Sequence, residues 1–269
     1  MALPVTFLSD YGLADEFAGV VHAVIARICP QARVVDLGHG VPRQDVAAGA
    51  RMLARALPYA APGVHLAVVD PEVGARRRAI ALRTVEEDRL LVGPDNGLLV
   101  PAADRFGGVA EAVEISASRW RLEPVSATFH GRDLFAPVAA RLAAGEPLDE
   151  AGTPLEPDEL MRIELTRARV EEGALVARVV ERDGFGNLAL DATHRDLAEA
   201  GIRLGDPIGV RFSGRRASGT YARTFADVRP GALVLYEDAG GAPAIAVNGG
   251  DAGALLGVRS GDELRLEPE

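Results

Sequence analysis

The stretch that decides the fold is VTFLSDYGLADEFAGVVHAVIARICPQARVVDLGHG, residues 5–40. It opens with the β-branched run VTFLSD and closes with a second one, ARVVDLGHG. Between them, EFAGVVHAVIARICP has apolar residues at i, i+3, i+4 and i+7, the spacing of a helix with one buried face. A strand, a helix and a strand in succession are typical of a βαβ unit. The sequence therefore predicts an α/β domain with a mainly parallel sheet.

The same alternation continues to about residue 150. DVAAGARMLARALPYA repeats the helical spacing, and GVHLAVVDP, RRAIALRT and RLLVGPDNGLLV predict further strands. In the last of these, Asn96-Gly97 is a tight-turn signal. GRDLFAPVAARLAAGEP predicts a helix that ends at Gly145 and Pro147. We therefore expect residues 1–150 to form the α/β domain.

The pattern changes after that helix. Residues 145–158 are rich in proline, glycine and acidic residues, which is typical of a linker. Beyond them, glycine-punctuated strands such as ALVARVVERDGFGNLALD and APAIAVNGG dominate, and only RDLAEAG predicts a helix. Residues 160–269 are therefore expected to form a smaller antiparallel β-barrel domain.

Composition narrows the class of protein. The formal net charge of −10 argues against a nucleic-acid-binding surface, which needs clustered Lys and Arg. No apolar stretch approaches the ~18 residues that a membrane-spanning helix needs, and MALPVTFLSDYG lacks the basic region of a signal peptide. The single cysteine, Cys29, cannot form an internal disulfide. We expect a cytoplasmic protein without nucleic-acid or membrane partners.

Polar residues follow apolar strands in SDYGLAD and VVDPEVGARRR, where ligands bind in open α/β sheets. In the first stretch, Asp10, Asp15 and Glu16 either cap the next helix, whose N-terminus favours negative charge, or form the acidic part of a ligand site. In the second, Asp70 and Arg77 either lie at the rim of the sheet or belong to a solvated surface turn.

Two further stretches, TFHGRD and DGFGN, also carry candidate site residues. His130 precedes a predicted helix, and a neutral imidazole there can exchange a proton near pH 7; a structural histidine is the alternative. DGFGN is either a simple glycine turn or a loop whose Phe185 and Asn187 contact a flat heterocycle.

A metal site is also conceivable from Asp10, Asp70, His130 and Asp133. However, the chain has no HExxH pattern and no Cys/His pair at ligand spacing. We therefore predict no bound metal.

Six motifs together carry a resemblance: FLSDYG, VVDPxVG, PDNGLL, TFHGRDxFAPVAA, DGFGN and IAVNGG, in this order. The chain resembles the S-adenosyl-L-methionine (SAM) hydroxide adenosyltransferases, or adenosine-forming SAM hydrolases, which are related to fluorinase and chlorinase. The resemblance spans nearly the whole chain. It implies an α/β N-terminal domain, a C-terminal β-barrel, and a homotrimer whose active sites lie between the N-terminal domain of one subunit and the C-terminal domain of its neighbour.

The resemblance implies that water or hydroxide displaces methionine from C5′ of the SAM ribose and leaves adenosine. The sulfonium leaves as a neutral thioether, so the main chemical requirement is an activated, positioned water. In the family an Asp–Arg–His trio holds this water, and the matching residues are Asp70, Arg77 and His130. We expect Asp70 and His130 to orient the water and accept its proton, and Arg77 to stabilise the developing hydroxide.

The resemblance also assigns the substrate contacts. Asp10 matches the carboxylate that binds both ribose hydroxyls, and Asp15 matches the one that faces the methionine ammonium. The DGFGN loop and the end of IAVNGG match the adenine end. We expect no cofactor, because SAM is the substrate. The implied substrate-binding residues are Asp10, Asp15, Phe129, Asp183, Phe185, Asn187, Val247 and Asn248.

Three other functions stay open: a halide-using adenosyltransferase, a non-catalytic adenosine or SAM sensor, and a metal-dependent phosphoesterase. The halogenase pattern has tyrosines in place of Asp70 and His130 and a serine in place of Gly131, which favours water as the nucleophile here. A sensor needs no water-binding trio.

Two departures from the family stand out. Glu72 replaces a common glycine, which predicts an altered turn beside Asp70, and Ala239-Gly240 replaces the usual contacts to the methionine carboxylate.

Overall fold

A computed structural model describes all residues from Met1 to Glu269, and they form two compact units, Met1–Glu164 and Leu165–Glu269. The first unit contains a seven-stranded sheet and four helices. Its strands are β1 (Val5–Ser9), β2 (Val34–Gly38), β3 (Val64–Val68), β4 (Ala79–Thr84), β5 (Leu90–Pro94), β6 (Val109–Glu114) and β7 (Thr153–Leu155). Its helices are α1 (Phe17–Ile28), α2 (Val46–Ala56), α3 (Val100–Ala103) and α4 (Ala136–Ala143).

The sheet of the first unit confirms the predicted α/β class. Its order is β2-β1-β3-β5-β4-β6-β7. Strands β2, β1, β3 and β5 are parallel, whereas the pairs β5–β4, β4–β6 and β6–β7 are antiparallel. The short connection between β4 and β5 explains the change, because a parallel pair needs a crossover of a dozen or more residues.

Helices cover both faces of this sheet. Helices α1 and α4 pack over one face, where Phe7 of β1, Leu66 of β3 and the buried face of α1 belong to one apolar cluster. Trp120, to which the sequence assigned no role, is 5% exposed and belongs to this cluster, so it is a core residue. Helices α2 and α3 pack over the other face around Leu53 and Leu98.

The predicted linker at residues 145–158 is wrong. This stretch forms a short 3-10 turn, Leu148–Glu150, and the edge strand β7, which pairs with β6. Gly152 permits the pairing, because a Cβ atom there would lie 2.0 Å from the carbonyl oxygen of Glu114. The proline and glycine residues therefore shape a sheet edge within the first unit.

The second unit confirms the predicted β-barrel. Its strands are β8 (Arg169–Glu171), β9 (Ala174–Arg182), β10 (Leu188–Leu190), β11 (Pro207–Phe212), β12 (Arg215–Tyr221), β13 (Leu233–Glu237), β14 (Pro243–Val247) and β15 (Glu263–Pro268). Seven of them close a ring in the order β10-β14-β13-β12-β11-β15-β9, because β9 also pairs with β10. All pairs are antiparallel except β12–β13. Two helices, α5 (His194–Glu199) and α6 (Ala252–Leu256), complete the unit.

The parallel strands place several polar residues at one edge of the first sheet. Asp10 and His39 directly follow β1 and β2, and Asp70 and Asn96 lie two residues beyond the ends of β3 and β5. The helix after β1 covers one face and the helix after β2 covers the other, so the chain reverses its direction of winding between β1 and β3. Such a switch point is where open α/β sheets bind ligands.

Among the helices of either unit, none has both the length and the apolar character that crossing a bilayer requires.

Candidate active site

Asp70 and Arg77 form a buried ion pair at the carboxyl end of β3. Their side chains are 5% and 4% exposed. Arg77 Nε lies 3.0 Å from both carboxylate oxygens of Asp70, and Nη2 also donates to Oδ2. Because removal of one partner leaves the other charge buried and unpaired, the two residues depend on each other. The alternative of a solvated surface turn does not hold for this pair.

His130 joins the pair through the same guanidinium. Arg77 Nη2 lies 2.9 Å from His130 Nδ1. A guanidinium can only donate hydrogen bonds, so Nδ1 is the acceptor and the neutral ring carries its proton on Nε2. The structure thus brings together the three residues that the family resemblance implies as a trio, although His130 lies 53 positions after Arg77.

The charge state of His130 follows from its surroundings. Burial, and next the positive charge of Arg77, lower the pKa of His130 below its ordinary value of 6.5, and the carboxylates of Asp70 and Asp133 oppose this only in part. The imidazole is therefore neutral at pH 7, which is the state that lets Nδ1 accept from Arg77.

A close backbone approach holds the two halves of the trio together. Gly74 lies in the turn between Asp70 and Arg77, has a φ of +77°, and would place a Cβ atom 2.2 Å from the carbonyl oxygen of Ala127. Only glycine satisfies both conditions. Glu72 is not among the residues with positive φ, and its carbonyl accepts from the Ala75 N–H at 2.9 Å. The turn beside Asp70 therefore forms with glutamate at this position.

Tyr11 is a site residue that the sequence reasoning missed. Its hydroxyl lies 2.1 Å from the position that a Cβ atom on Gly131 would occupy. Burial, and then the negative charges of Asp10 and Asp70, raise the pKa of Tyr11 far above its ordinary value, so the hydroxyl stays protonated. The signal was available in SDYG, where the tyrosine directly follows a candidate carboxylate at a strand end.

Asp10 lies beside the trio on the neighbouring strand, because β1 pairs with β3 and Ser9 is opposite Val68. Asp10 Oδ2 accepts from the Gln44 N–H at 2.9 Å. Helix α1 begins only at Phe17, and Glu16 at its N-cap position makes no side-chain capping bond. Asp10 therefore does not cap α1. Asp15 is exposed on the loop that precedes this helix.

Phe129 belongs to an aromatic cluster with Tyr11 and Phe17. Its ring centroid is 5.8 Å from that of Tyr11 and 5.0 Å from that of Phe17, and both pairs meet edge to face. The guanidinium of Arg132 lies 5.2 Å from the Phe129 centroid. The cluster fixes the backbone that leads into His130.

The candidate residues of the second unit form one loop between β9 and β10. Asp183 Oδ1 accepts from the N–H groups of Phe185 and Asn187 at 2.9 and 2.8 Å, and Oδ2 accepts from the Asn187 side chain at 2.8 Å. This network holds Phe185 outward, with 82% of its surface exposed. DGFGN is thus an organised turn that presents an aromatic ring to its surroundings.

Val247 and Asn248 lie at the end of β14 on the same side of the barrel. β10 pairs with β14 so that Leu188 is opposite Ile245, which brings the end of DGFGN next to the end of β14. Val247 is 8% exposed. Asn248 Nδ2 donates to the carbonyl oxygen of Val228 at 2.8 Å, so this amide holds a loop in place.

The four residues considered for a metal in the sequence do not converge. Asp70 is paired with Arg77, and Asp133 is paired with Arg132. The single group of three or more His, Cys, Asp or Glu residues with ligand atoms close together is a different one, His22, Asp36 and His39.

Comparison with known proteins identifies the family. The N-terminal domain of the SAM hydroxide adenosyltransferases matches residues 5–152, and the C-terminal domain of the same family matches residues 177–265. The chain belongs to the SAM hydroxide adenosyltransferase family.

Individual members of this family and their relatives align over much or all of the chain. An (R)-S-adenosyl-L-methionine hydrolase from Salinispora tropica is 49% identical over 97% of both chains. A fluorinase from Actinoplanes sp. is 28% identical over 74% of both chains, which agrees with the expected relation to halogenases. A crystal structure of an uncharacterized conserved protein from Thermotoga maritima superimposes with a TM-score of 0.89, at 36% identity over 98% of this chain and 99% of that one.

Proposed function

We propose that this family member hydrolyses SAM to adenosine and L-methionine. The observation that carries the proposal is the hydrogen-bonded set of Asp70, Arg77 and His130 at the edge of the parallel strands. A water molecule needs hydrogen-bond donors and an acceptor close together, and this set supplies both. The 49% identity to an (R)-S-adenosyl-L-methionine hydrolase supports the same substrate.

The reaction balances with SAM and water alone, so we propose no cofactor. The water oxygen forms a bond to C5′ of the ribose while the bond from C5′ to the sulfonium sulfur breaks. The bonding electron pair stays on sulfur, which leaves as the neutral thioether of methionine. One proton is released from the attacking water, and the enzyme must accept it.

The hydrogen bonds among the trio divide the roles more finely than the family pattern does. His130 Nδ1 accepts from Arg77, and its Nε2 already carries a proton. We therefore assign His130 as a donor that orients the water through Nε2–H, and Asp70 as the acceptor of the proton. Arg77 keeps the Asp70 carboxylate in position and stabilises negative charge on the attacking oxygen.

The substrate contacts follow the family assignment. Asp10 binds the ribose hydroxyls, Asp15 faces the methionine ammonium, and Phe129 lines the site beside His130. In the second unit, the DGFGN loop and the residues after β14 contact adenine. The support for these roles is their position at the strand ends and the outward presentation of Phe185, which is 82% exposed.

We also propose a cytoplasmic homotrimer in which the adenine contacts of one subunit complete the site of its neighbour. Two exposed apolar residues support an assembly that covers them. Leu13 is 81% exposed on the loop between Asp10 and Asp15, and Phe185 is similarly exposed on the barrel.

The test is incubation of the purified protein with SAM, with adenosine and methionine separated by chromatography. We expect equimolar products from the wild type and from His194→Gln, a control at an exposed histidine of the second unit. Asp70→Asn and His130→Gln should form little product. Tight adenosine binding without turnover in the wild type would instead indicate a sensor, and turnover that requires added halide would indicate a halogenase.

A further inference from the structure

A cluster outside the trio combines two histidines and one carboxylate. His22 on α1, Asp36 on β2 and His39 just after β2 have their possible ligand atoms within 4.8 Å of one another. Asp36 Oδ1 lies 2.7 Å from His22 Nε2 and 3.1 Å from His39 Nε2. In both imidazoles, Nε2 is the ring nitrogen that lies close to this carboxylate oxygen.

His39 is the buried member of this cluster, and its Nε2 is not satisfied by the protein. The side chain is 2% exposed, and Nε2 makes no hydrogen bond, although it lies 3.1 Å from Asp36 Oδ1. A buried polar nitrogen without a partner destabilises a protein, because it loses its hydrogen bond to water. A cation bound between His39 and Asp36 removes this cost, because it binds a lone pair of His39 Nε2 and a lone pair of Asp36 Oδ1.

The second ring nitrogen of His39 is held in the manner of a metal ligand. His39 Nδ1 lies 2.8 Å from Ser9 Oγ, and the Phe7 ring packs against the imidazole at a centroid distance of 4.6 Å. In metal sites the nitrogen that does not ligate is usually bonded to a fixed partner, which orients the ring. The Ser9 hydroxyl and the Phe7 ring provide that orientation here.

The other two members leave a path from solvent. The side chains of His22 and Asp36 are 35% and 44% exposed. An ion can therefore enter from the surface, bind His22 and Asp36, and reach the buried nitrogen of His39. Water can fill the remaining coordination position.

We propose that His22, Asp36 and His39 form a site for a divalent transition-metal ion of the Zn²⁺ class. Two imidazoles and one carboxylate suit Zn²⁺, whereas Mg²⁺ and Ca²⁺ prefer oxygen ligands alone. Tetrahedral binding needs ligand atoms roughly 3.2–3.5 Å apart, so binding requires the side chain of His22 to move away from Asp36 Oδ1, which lies 2.7 Å from its Nε2.

The site is coupled to the loop that carries Asp10 and Tyr11. The Gly12 N–H donates to the His39 carbonyl oxygen at 2.7 Å, and the Tyr11 N–H donates to Ser9 Oγ at 3.3 Å. Fixing His39 therefore fixes both ends of this loop. The ion has a structural role and takes no part in the displacement at C5′.

The experiment titrates chelator-treated, dialysed protein with Zn²⁺ alone in a calorimeter and follows thermal unfolding with and without Zn²⁺. We expect one ion per chain and a rise in Tm of ~5–10 °C when free Zn²⁺ is hundredfold above Kd. His22→Gln and Asp36→Asn should weaken binding by more than ~100-fold and abolish the rise in Tm, because each removes a ligand.

His194→Gln is the matched control, since it removes an exposed histidine that lies 2.9 Å from a carboxylate oxygen of Glu237 and leaves the cluster intact. This variant should bind Zn²⁺ as the wild type does. Equal Zn²⁺ binding by wild type and His22→Gln, or no saturable binding by the wild type, overturns the proposal. Neither readout depends on SAM turnover, so the result is independent of the proposed function.

Discussion

In the first unit, the candidate catalytic side chains of Asp70 and Arg77 are 5% and 4% exposed and are bonded to each other, whereas in the second unit Phe185 is 82% exposed. The trio is held by hydrogen bonds between side chains from segments far apart in the chain. The DGFGN loop is held by one aspartate that binds the backbone of the same turn.

This difference matches the proposed division between catalytic and substrate-binding residues. A proton acceptor and its partners need fixed positions away from bulk water, so their substitution affects both rate and folding. A ring that contacts adenine needs only a stable loop beneath it, so its substitution affects binding alone. The predictions below test that separation.

The largest effect is expected at Asp70. Asp70→Asn should lower kcat by ~10²–10⁴-fold because it removes the proposed proton acceptor. Asp70→Ala should also lower the free energy of unfolding by about 3–5 kcal/mol, because Arg77 is left as a buried unpaired charge. Product chromatography and denaturant unfolding measure the two quantities. Near-wild-type kcat in Asp70→Asn would contradict the assigned role.

The next effect concerns the contact between Gly131 and Tyr11. Gly131→Ala should destabilise the protein by about 1–3 kcal/mol, because its Cβ atom meets the Tyr11 hydroxyl at 2.1 Å. Adding Tyr11→Phe should recover part of this loss, since the nearest ring carbon, Cζ, is 3.1 Å away. A double-mutant cycle measures the coupling.

Gly19→Ala is the control for this cycle. It places a methyl group on α1 where no atom lies within 4 Å apart from the adjoining residues and the backbone of the helix itself. It should leave stability unchanged or raise it slightly, since alanine favours helices. If Tyr11→Phe recovers none of the stability that Gly131→Ala loses, the Tyr11 hydroxyl is not the atom that the new methyl group meets.

A smaller effect is expected in the second unit. Phe185→Ala should raise KM for SAM by about tenfold, the equivalent of ~1.4 kcal/mol of lost stacking, with kcat and Tm unchanged. Leu204→Ala, at a residue that is 49% exposed on the same unit, is the matched control and should change neither. A fall in Tm for Phe185→Ala would break the proposed separation between recognition and folding.

The smallest effect on kcat/KM is expected from a change of pH in the range above 6.5. Burial and Arg77 lower the pKa of His130 below 6.5, so the neutral ring is retained above that value. Log kcat/KM should therefore vary little between about pH 7 and 8 and should fall only as the pH drops through the lowered pKa, where protonation of Nδ1 breaks the bond from Arg77. A midpoint above 6.5 would contradict the lowered pKa of His130.

The sequence predicted the residues whose positions follow from local order. Asp10 and Asp70 end apolar strands, and parallel pairing of those strands brings their ends together. The helical spacing of α1 and the glycine-punctuated strands of the barrel likewise predicted their elements. In each case the sequence signal lies within a few consecutive residues.

Contacts between distant segments were not predictable in this way. The packing of Tyr11 on Gly131 joins residues from opposite ends of the first unit, and β7 forms because Gly152 lets the chain approach Glu114 closely. His22 lies within a helix and Asp36 within a strand, so no spacing rule joins them to a third residue after β2. Each contact depends on how whole elements pack.

The glycine at position 131 also constrains how this family can diversify. Any side chain there begins with a Cβ atom, including the serine that the family resemblance associates with halide binding, and that atom meets the Tyr11 hydroxyl. A lineage that moves from water to halide therefore loses less stability if it changes Tyr11 before Gly131. The contact favours one order of mutations, a form of epistasis that library screens of position 131 alone would not detect.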